Sequence, residues 1–479
     1  MMADRRNEIG SWRIRTLTPS LKVGCLIMAL LLAVSMVALG MRPGTLTVAG
    51  SDAPQYLQGA YHLFHHQTFT QNETPDFAPP AIGREPGYAV FLAGLMAIDP
   101  TFGRYKPVCS LVNDACDPKI FRVVGLANLA LIGLTGLTMF CVGLLVCGNV
   151  WAGVIAGGYL LLNFQMNKGW GDPASDRLAV FLVSVNLLAV AWAWRGDRAW
   201  RWGLVGLALA LLTLTKAVFL TYFVLVCVAA AFVAIRKVAV RRKIASALAI
   251  AIVGYGVLVG GWMVRNWSVE GNLRLTDARG GIALSTREVF NHMSPQQYGA
   301  AFVYWLRGPG VGLARRMFPA EVVEPFDLDR PGGFYDRGQN GYPARVAEIM
   351  ATRGLDAPAA GAIVDHQIIT AILERPFTHL LTTLPLFWRG IWIDEFIVLG
   401  LPLFFWVGFR AARRRQPLLL MLLSIGAFNL LFYAAFSLNI SRYQMTAVPE
   451  LALAVAVAAT ELLERRRRTS AASAIRVAR

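Results

Sequence analysis

Charge is what this sequence has least of. Only 16% of its 479 residues are Asp, Glu, Lys or Arg, against about 25% in a soluble globular protein. Too little charge remains to cover a soluble surface of this size. Histidine is scarce as well, with six in the chain, and the adjacent pair His65 and His66 lacks the i, i+4 spacing of a helical metal site. No Rossmann or P-loop glycine signature occurs, so no bound nucleotide is expected. There is no 20–50-residue repeat and no low-complexity tract. Alternating ten-residue segments are absent too, which excludes a transmembrane barrel. Cysteine is sparse at six residues. Cys25, Cys141, Cys147 and Cys227 fall in apolar runs, where Cys behaves as a small hydrophobe. Cys109 and Cys116 lie in a polar segment, and an oxidising compartment allows a disulfide between them. No second Cys or His pair lies nearby to favour metal binding instead.

What is present is hydrophobicity. Apolar residues make up 56% of the chain, and many runs approach or exceed the ~18 residues that cross hydrocarbon as a helix. The expected fold class is therefore an all-α polytopic membrane protein. About ten transmembrane helices are expected, over 21–41, 123–147, 151–164, 178–194, 202–215, 217–235, 244–264, 396–409, 417–437 and 445–463. The first reads as a retained anchor rather than a cleaved signal.

The net charge of +17 is placed on one side. With the first span running from inside to outside, segments 1–22, 195–201, 236–243, 410–415 and 461–479 are cytoplasmic. They hold 23 of the 46 basic residues and 5 of the 29 acids. Positive charge retained inside sets topology, so the basic runs read as topology signals against anionic lipid, and no nucleic-acid partner is expected. Both termini are expected in the cytoplasm, in an inner (plasma) membrane.

Three parts follow. Residues 1–264 form a transmembrane core, whose first outer loop (43–99) is polar, aromatic and acidic by turns. Residues 265–395 form an outer-side, mixed region, too long for a connector. Residues 396–479 carry the last spans and a basic tail. Within the first loop, 51–66 reads as an amphipathic helix with Tyr56, Leu57, Ala60, Tyr61 and Phe64 on one face. Asp52 stands where an N-cap would, with Gln55 in capping-box register and Pro54 in the first turn. Residues 87–98 form a short juxtamembrane apolar helix.

Ionisable residues recur at the outer helix ends: Asp52, Arg84, Glu85, Asp172, Asp176, Arg177, Lys216, Arg265 and Arg442. Such groups near hydrocarbon are costly; they pair, or they act. As a set of acids among cations they suit phosphate binding, because Arg offers a bidentate fork and Lys a point charge. Asp52 alone is explained by helix capping, yet a carboxylate there can also take a proton from a hydroxyl. No cofactor is required by these residues, and a divalent metal stays open.

Six stretches resemble the bacterial GT-C membrane glycosyltransferases, the group of the lipid A aminoarabinose transferase and the protein O-mannosyltransferases (families 39 and 83). They are SDAPQYLQGAY, REPGYAVFL, GDPASDRLAVFL, LTLTKAVFL, WMVRNW and NISRYQMTAVP, running in order from residue 51 to 449. The resemblance implies a GT-C helical bundle with its active site on the outer (periplasmic) face. It implies a polyprenyl-phosphate sugar as donor and a lipid, glycan or protein acceptor, in cell-envelope modification. Asp52 and Asp176 match the two catalytic acids. Arg84, Glu85, Tyr56, Tyr61, Lys216, Arg265, Arg442 and Tyr443 fall where substrate is bound. Glu85 stands between Arg84 and Pro86, where the aminoarabinose enzyme has a Lys directly before prolines, and the Cys109–Cys116 insert is a second departure. A flippase of lipid-linked sugar, or an O-antigen polymerase or ligase, is the alternative reading.

Overall fold

A computed structural model describes residues 19–41, 52–71, 79–111, 117–276 and 279–477. Among these residues every regular element is helical, and there is no strand. Six helical stretches are long and apolar enough to cross a membrane: Pro19–Gly40, Pro118–Cys147, Asp176–Arg195, Val218–Arg236, Val238–Glu270 and Ser441–Glu464. A seventh is a broken pair, Pro376–Ile393 and Ile397–Arg413, bent by 117°. The chain is a polytopic all-α membrane protein.

The ten expected segments are all helical, but three are short. Val150–Leu161, Arg201–Thr215 and Ser424–Phe436 are apolar helices below spanning length. Twelve residues at ~1.5 Å each give ~18 Å, against ~30 Å of hydrocarbon. The cause in one case is local. Gly148 turns at φ +65° and Asn149 caps the next helix, its side chain accepting from the Trp151 N–H. Asn163 then caps a separate turn, Phe164–Asn167, by accepting from the Met166 N–H. Two caps leave only thirteen residues between them, twelve of them helical.

The main core lies among Arg122–Cys147, Val150–Leu161, Asp176–Arg195, Arg201–Thr215 and the helix Val448–Val477, whose residues from Val448 to Ala458 are almost wholly buried. Arg201–Thr215 packs on Arg241–Glu270 backbone to backbone: a Cβ on Gly254 would lie 2.2 Å from the Gly203 carbonyl oxygen. Small residues permit such close approach between membrane helices. The outward faces carry Leu26, Leu30, Val228, Phe232, Val253 and Val257, all exposed, as a surface meeting lipid requires.

Arg241–Glu270 runs past Arg265 and stops at Gly271, φ +71°. Among the described residues seven helices and three 3-10 turns follow before the bend at Asp394. Phe290, Phe326 and Phe334 stack within this region, with centroids 4.9 and 5.4 Å apart. Arg287 ties the first of these helices to Pro376–Gly390 and to Ser424–Phe436. Its guanidinium is fully buried and donates to the carbonyls of Ala434 (3.0 Å) and His379 (2.7 Å), to Asn291 (2.7 Å), and to the hydroxyls of Thr382 (3.1 Å) and Thr383 (2.8 Å). Burial among neutral groups pushes Arg287 down to about 9.

Asp394, fully buried, sits at the bend of the broken pair. It accepts from the Tyr159 hydroxyl, from Asn163 and from the Phe396 N–H (3.0 Å). The corner is thereby tied to the end of the short Val150–Leu161 helix.

Candidate active site

Five chain segments bring their polar ends to one place. Asp52 immediately precedes the helix Ala53–His66. Arg84 and Glu85 precede Pro86–Ile98. Asp176 is the first residue of Asp176–Arg195. Lys216 occupies the break between Arg201–Thr215 and Val218–Arg236. Arg442 lies in the 3-10 turn Ser441–Ala447, which leads into the last helix. Prolines at the starts of Ala53–His66 and Pro86–Ile98 fix where those helices begin.

The expected capping box at Asp52 does not form. No side-chain cap bond is made there. The carboxylate instead bonds Arg84 through Oδ1 and Arg442 through Oδ2, the latter at 2.6 Å. Gln55, the expected partner in the box, accepts from Arg84 Nε. Two guanidinium donors outcompete the local amide because each bond is charge-assisted.

Asp176 is held by Lys216 Nζ at 2.7 Å and stands 3.2 Å from Arg442 Nε. Its side chain is 3% exposed, whereas that of Asp52 is 33% exposed. One acid is therefore sealed and the other accessible. Glu85 faces the same centre: its Oε1 accepts from the Ala217 N–H at 3.1 Å, and its buried Oε2 has no partner among the described residues.

Aromatic rings wall the cluster. Arg84 lies 5.1 Å over the Tyr56 ring, and Tyr56 packs edge-on against Tyr88 at 5.2 Å. Tyr433 and Tyr443 stack at 4.9 Å. Burial, reinforced by Glu85, raises the Tyr56 phenol well above its ordinary range, so it is a neutral hydrogen-bonding group. Burial opposes charge on Arg84, but Tyr56, Asp52 and Glu85 outweigh it and raise the guanidinium above its usual value. Tyr88 is fully buried, and among the described residues its hydroxyl has no partner. Arg177 runs behind Asp176, reaching Met445 Sδ at 3.4 Å, and lines a small cavity with Asn167 and Thr135.

Two expected site residues are placed elsewhere. Arg265 donates to the backbone carbonyls of Ala81 (2.8 Å) and Phe69 (3.1 Å) and lies over the Trp262 ring. It holds the backbone at Phe69 and Ala81, and among the described residues it forms no salt bridge with either acid. Tyr61 sits with His62, His65, His66 and Tyr105 on the far part of its helix. Among the described residues, no three His, Cys, Asp or Glu side chains are grouped to hold a metal. Cys109 is buried, and Cys116 lies outside the described residues.

Tyr88 and Tyr433 stand beside the cluster without having been marked by the sequence pattern, and Gln55, marked only as a capping-box partner, bonds Arg84 instead. Tyr88 was legible only as the aromatic after Pro86–Gly87. Gly87 itself is needed there: a Cβ would fall 2.7 Å from the Leu214 carbonyl oxygen, separating Arg84 and Glu85 from Lys216.

No family model and no curated protein matches this sequence. Solved structures of the Archaeoglobus fulgidus oligosaccharyltransferase are similar in overall shape. The complex with Zn and sulfate gives a TM-score of 0.48 at 14% identity, over 94% of this chain and 51% of that one. The apo form gives 0.49 at 13% identity, over 94% and 52%. The archaeal oligosaccharyltransferase AglB from the same organism, with an inhibitory peptide and a dolichol-phosphate, gives 0.48 at 12% identity, over 96% and 52%. The chain spans about half the length of the solved structures it matches.

Proposed function

We propose that this chain is a GT-C type glycosyltransferase that moves a sugar, a hexose or pentose, from a polyprenyl-phosphate donor to an acceptor hydroxyl. The observation that carries the reading is the meeting of Asp52 and Asp176 on one cation, Arg442, at the ends of apolar helices. The resemblance to the aminoarabinose and O-mannosyl transferases supports it, since those two acids match. The polyprenyl chain lies along the apolar helices, and its phosphate meets Arg84, Arg442 and Lys216. The reaction takes place on the outer, periplasmic face, with both termini in the cytoplasm. The acceptor is a lipid, glycan or protein of the cell envelope.

In the resting cluster both oxygens of Asp52 are occupied by arginines. A donor phosphate competes for those guanidinium groups and releases Asp52. The acceptor oxygen then attacks the anomeric carbon, the carbon–oxygen bond to phosphate breaks, and the acceptor proton passes to Asp52. The configuration inverts in this single displacement. The polyprenyl phosphate leaves with an added negative charge, which the fixed cations stabilise more than they stabilise the ground state. Asp176, sealed and doubly paired, holds Arg442 and Lys216 in position.

The bent pair Pro376–Ile393 and Ile397–Arg413 also suits a flippase, since broken helices mark many transporters. One experiment separates the two. The full chain in detergent, with a radiolabelled polyprenyl-phosphate sugar and envelope glycolipid, should form a new glycosidic bond with no second compartment present. Donor left unconsumed across a panel of lipid, glycan and peptide acceptors overturns the transferase reading.

A further inference from the structure

Between Arg265 and Asp394 two arginines are buried among the described residues, and only one is satisfied. Arg287 spends its donors on five neutral acceptors. Arg389, at the end of Pro376–Gly390, is 8% exposed. Its Nη1 is buried with no hydrogen-bond partner, and among the described residues no carboxylate forms a salt bridge with it. Its guanidinium lies 4.9 Å over the Trp305 ring, with the phenols of Tyr304, Tyr335 and Tyr443 in its surroundings. A ring face offsets part of the cost of burying a cation. An unpaired guanidinium nitrogen still carries a desolvation penalty that an anionic ligand would remove.

Its position says which ligand. The Arg389 carbonyl accepts from the Ser441 hydroxyl at 3.0 Å, one residue from Arg442. Tyr443 stacks on Tyr433 and feels the charges of Asp52 and Asp176. Arg389 therefore adjoins the acid cluster from the outer-region side, walled by Trp305, Tyr304 and Tyr335 rather than by the apolar helices. The donor phosphate already has Arg84, Arg442 and Lys216.

We infer that Arg389 is the acceptor's anion-binding residue: the acceptor carries a phosphate or carboxylate oxyanion beside the hydroxyl that is glycosylated. The inference rests on the transferase reading above and adds the acceptor's chemical class. The Arg fork fits either oxyanion in bidentate fashion, and the flanking rings offer faces to the acceptor's sugar or ring.

The test uses the full chain in detergent and needs no transfer reaction, so its failure is distinct from failure of the transferase reading, which the detergent transfer assay decides. Thermal unfolding is followed with inorganic phosphate, with glucuronate and with neutral glucose. Phosphate and glucuronate should each raise the melting temperature of the native chain, and glucose should not. Glucuronate without phosphate stabilisation would assign the subsite to carboxylates, and the converse to phosphates; either keeps the anion subsite. Arg389→Gln should abolish the rise with glucuronate and leave only the part of the phosphate rise that the donor-phosphate cluster supplies, whereas Lys216→Met, in that cluster, should keep the rise with glucuronate. If Arg389→Gln does not fold, Arg389→Lys, which keeps the charge but loses the fork, should weaken apparent affinity at least about tenfold. An undiminished rise in the Arg389 variants, its loss in Lys216→Met instead, or no rise in the native chain overturns the inference.

Discussion

Arg442 joins two acids that lie far apart in the chain: its Nη2 bonds Asp52 at 2.6 Å and its Nε stands 3.2 Å from Asp176. Neither pair is local, and no helix periodicity connects them. The cluster thus forms only when the start of Ala53–His66, the Asp176–Arg195 helix and the last span are all in place. Its two acids differ in exposure, and that difference orders the mutational costs.

The Asp52–Arg442 pair is about one-third exposed on both sides. A double-mutant cycle on Asp52→Ala and Arg442→Ala should give a coupling of about 1 kcal/mol or less. Lys216→Met leaves the sealed Asp176 with one cation fewer and should cost about 3 kcal/mol. Unfolding in detergent measures both, and equal costs would show that burial does not distinguish the two acids.

Tyr88 holds a buried hydroxyl without a partner between Tyr56 and Asp176. Tyr88→Phe should leave stability unchanged or raise it by about 1 kcal/mol, since nothing bonded is lost. A loss of more than that in thermal unfolding would mean the hydroxyl is satisfied in the folded chain.

Arg287 makes five hydrogen bonds from a fully buried position. Arg287→Met should loosen the stretch 279–375 from Pro376–Gly390 and Ser424–Phe436, at a cost of about 3 kcal/mol or more. Limited proteolysis should then cut within 279–375 while the apolar helices survive. Unchanged protection would contradict its role as the tie.

Gly254 meets the Gly203 carbonyl across two helices. Gly254→Leu should destabilise by ~2 kcal/mol or more, because the backbones must part. Gly256→Leu, where a Cβ meets nothing within 4 Å, is the matched control and should be nearly neutral.

Much of the architecture was legible in the sequence because it rests on local signals. Long apolar runs gave the spans, Gly148–Asn149 gave a turn, and helix-end charges gave Asp52, Asp176, Lys216 and Arg442 as candidates. What was not legible depends on tertiary pairing. The 51–66 pattern suggested a capping box, but Arg84 and Arg442, 32 and 390 residues away, claim the Asp52 carboxylate. Arg265 resembles its site neighbours in sequence, yet backbone carbonyls of the loop hold it. Asp394 sits in the break between two helices, and Arg389 lies at the end of Pro376–Gly390 as one more helix-end cation, so nothing local marked either. Three apolar runs fell short of spanning length, since hydropathy registers neither the caps nor the kinks that end a helix early.

The most direct test of the central claim is transfer by Asp52→Asn. The amide keeps the shape and loses the base and the charge that two arginines share. With polyprenyl-phosphate sugar and an acceptor that the native chain glycosylates, the variant should fold as the native chain does and lose about 100-fold or more in rate. A correctly folded Asp52→Asn protein that transfers within a few-fold of the native rate would contradict the placement of catalysis at this cluster.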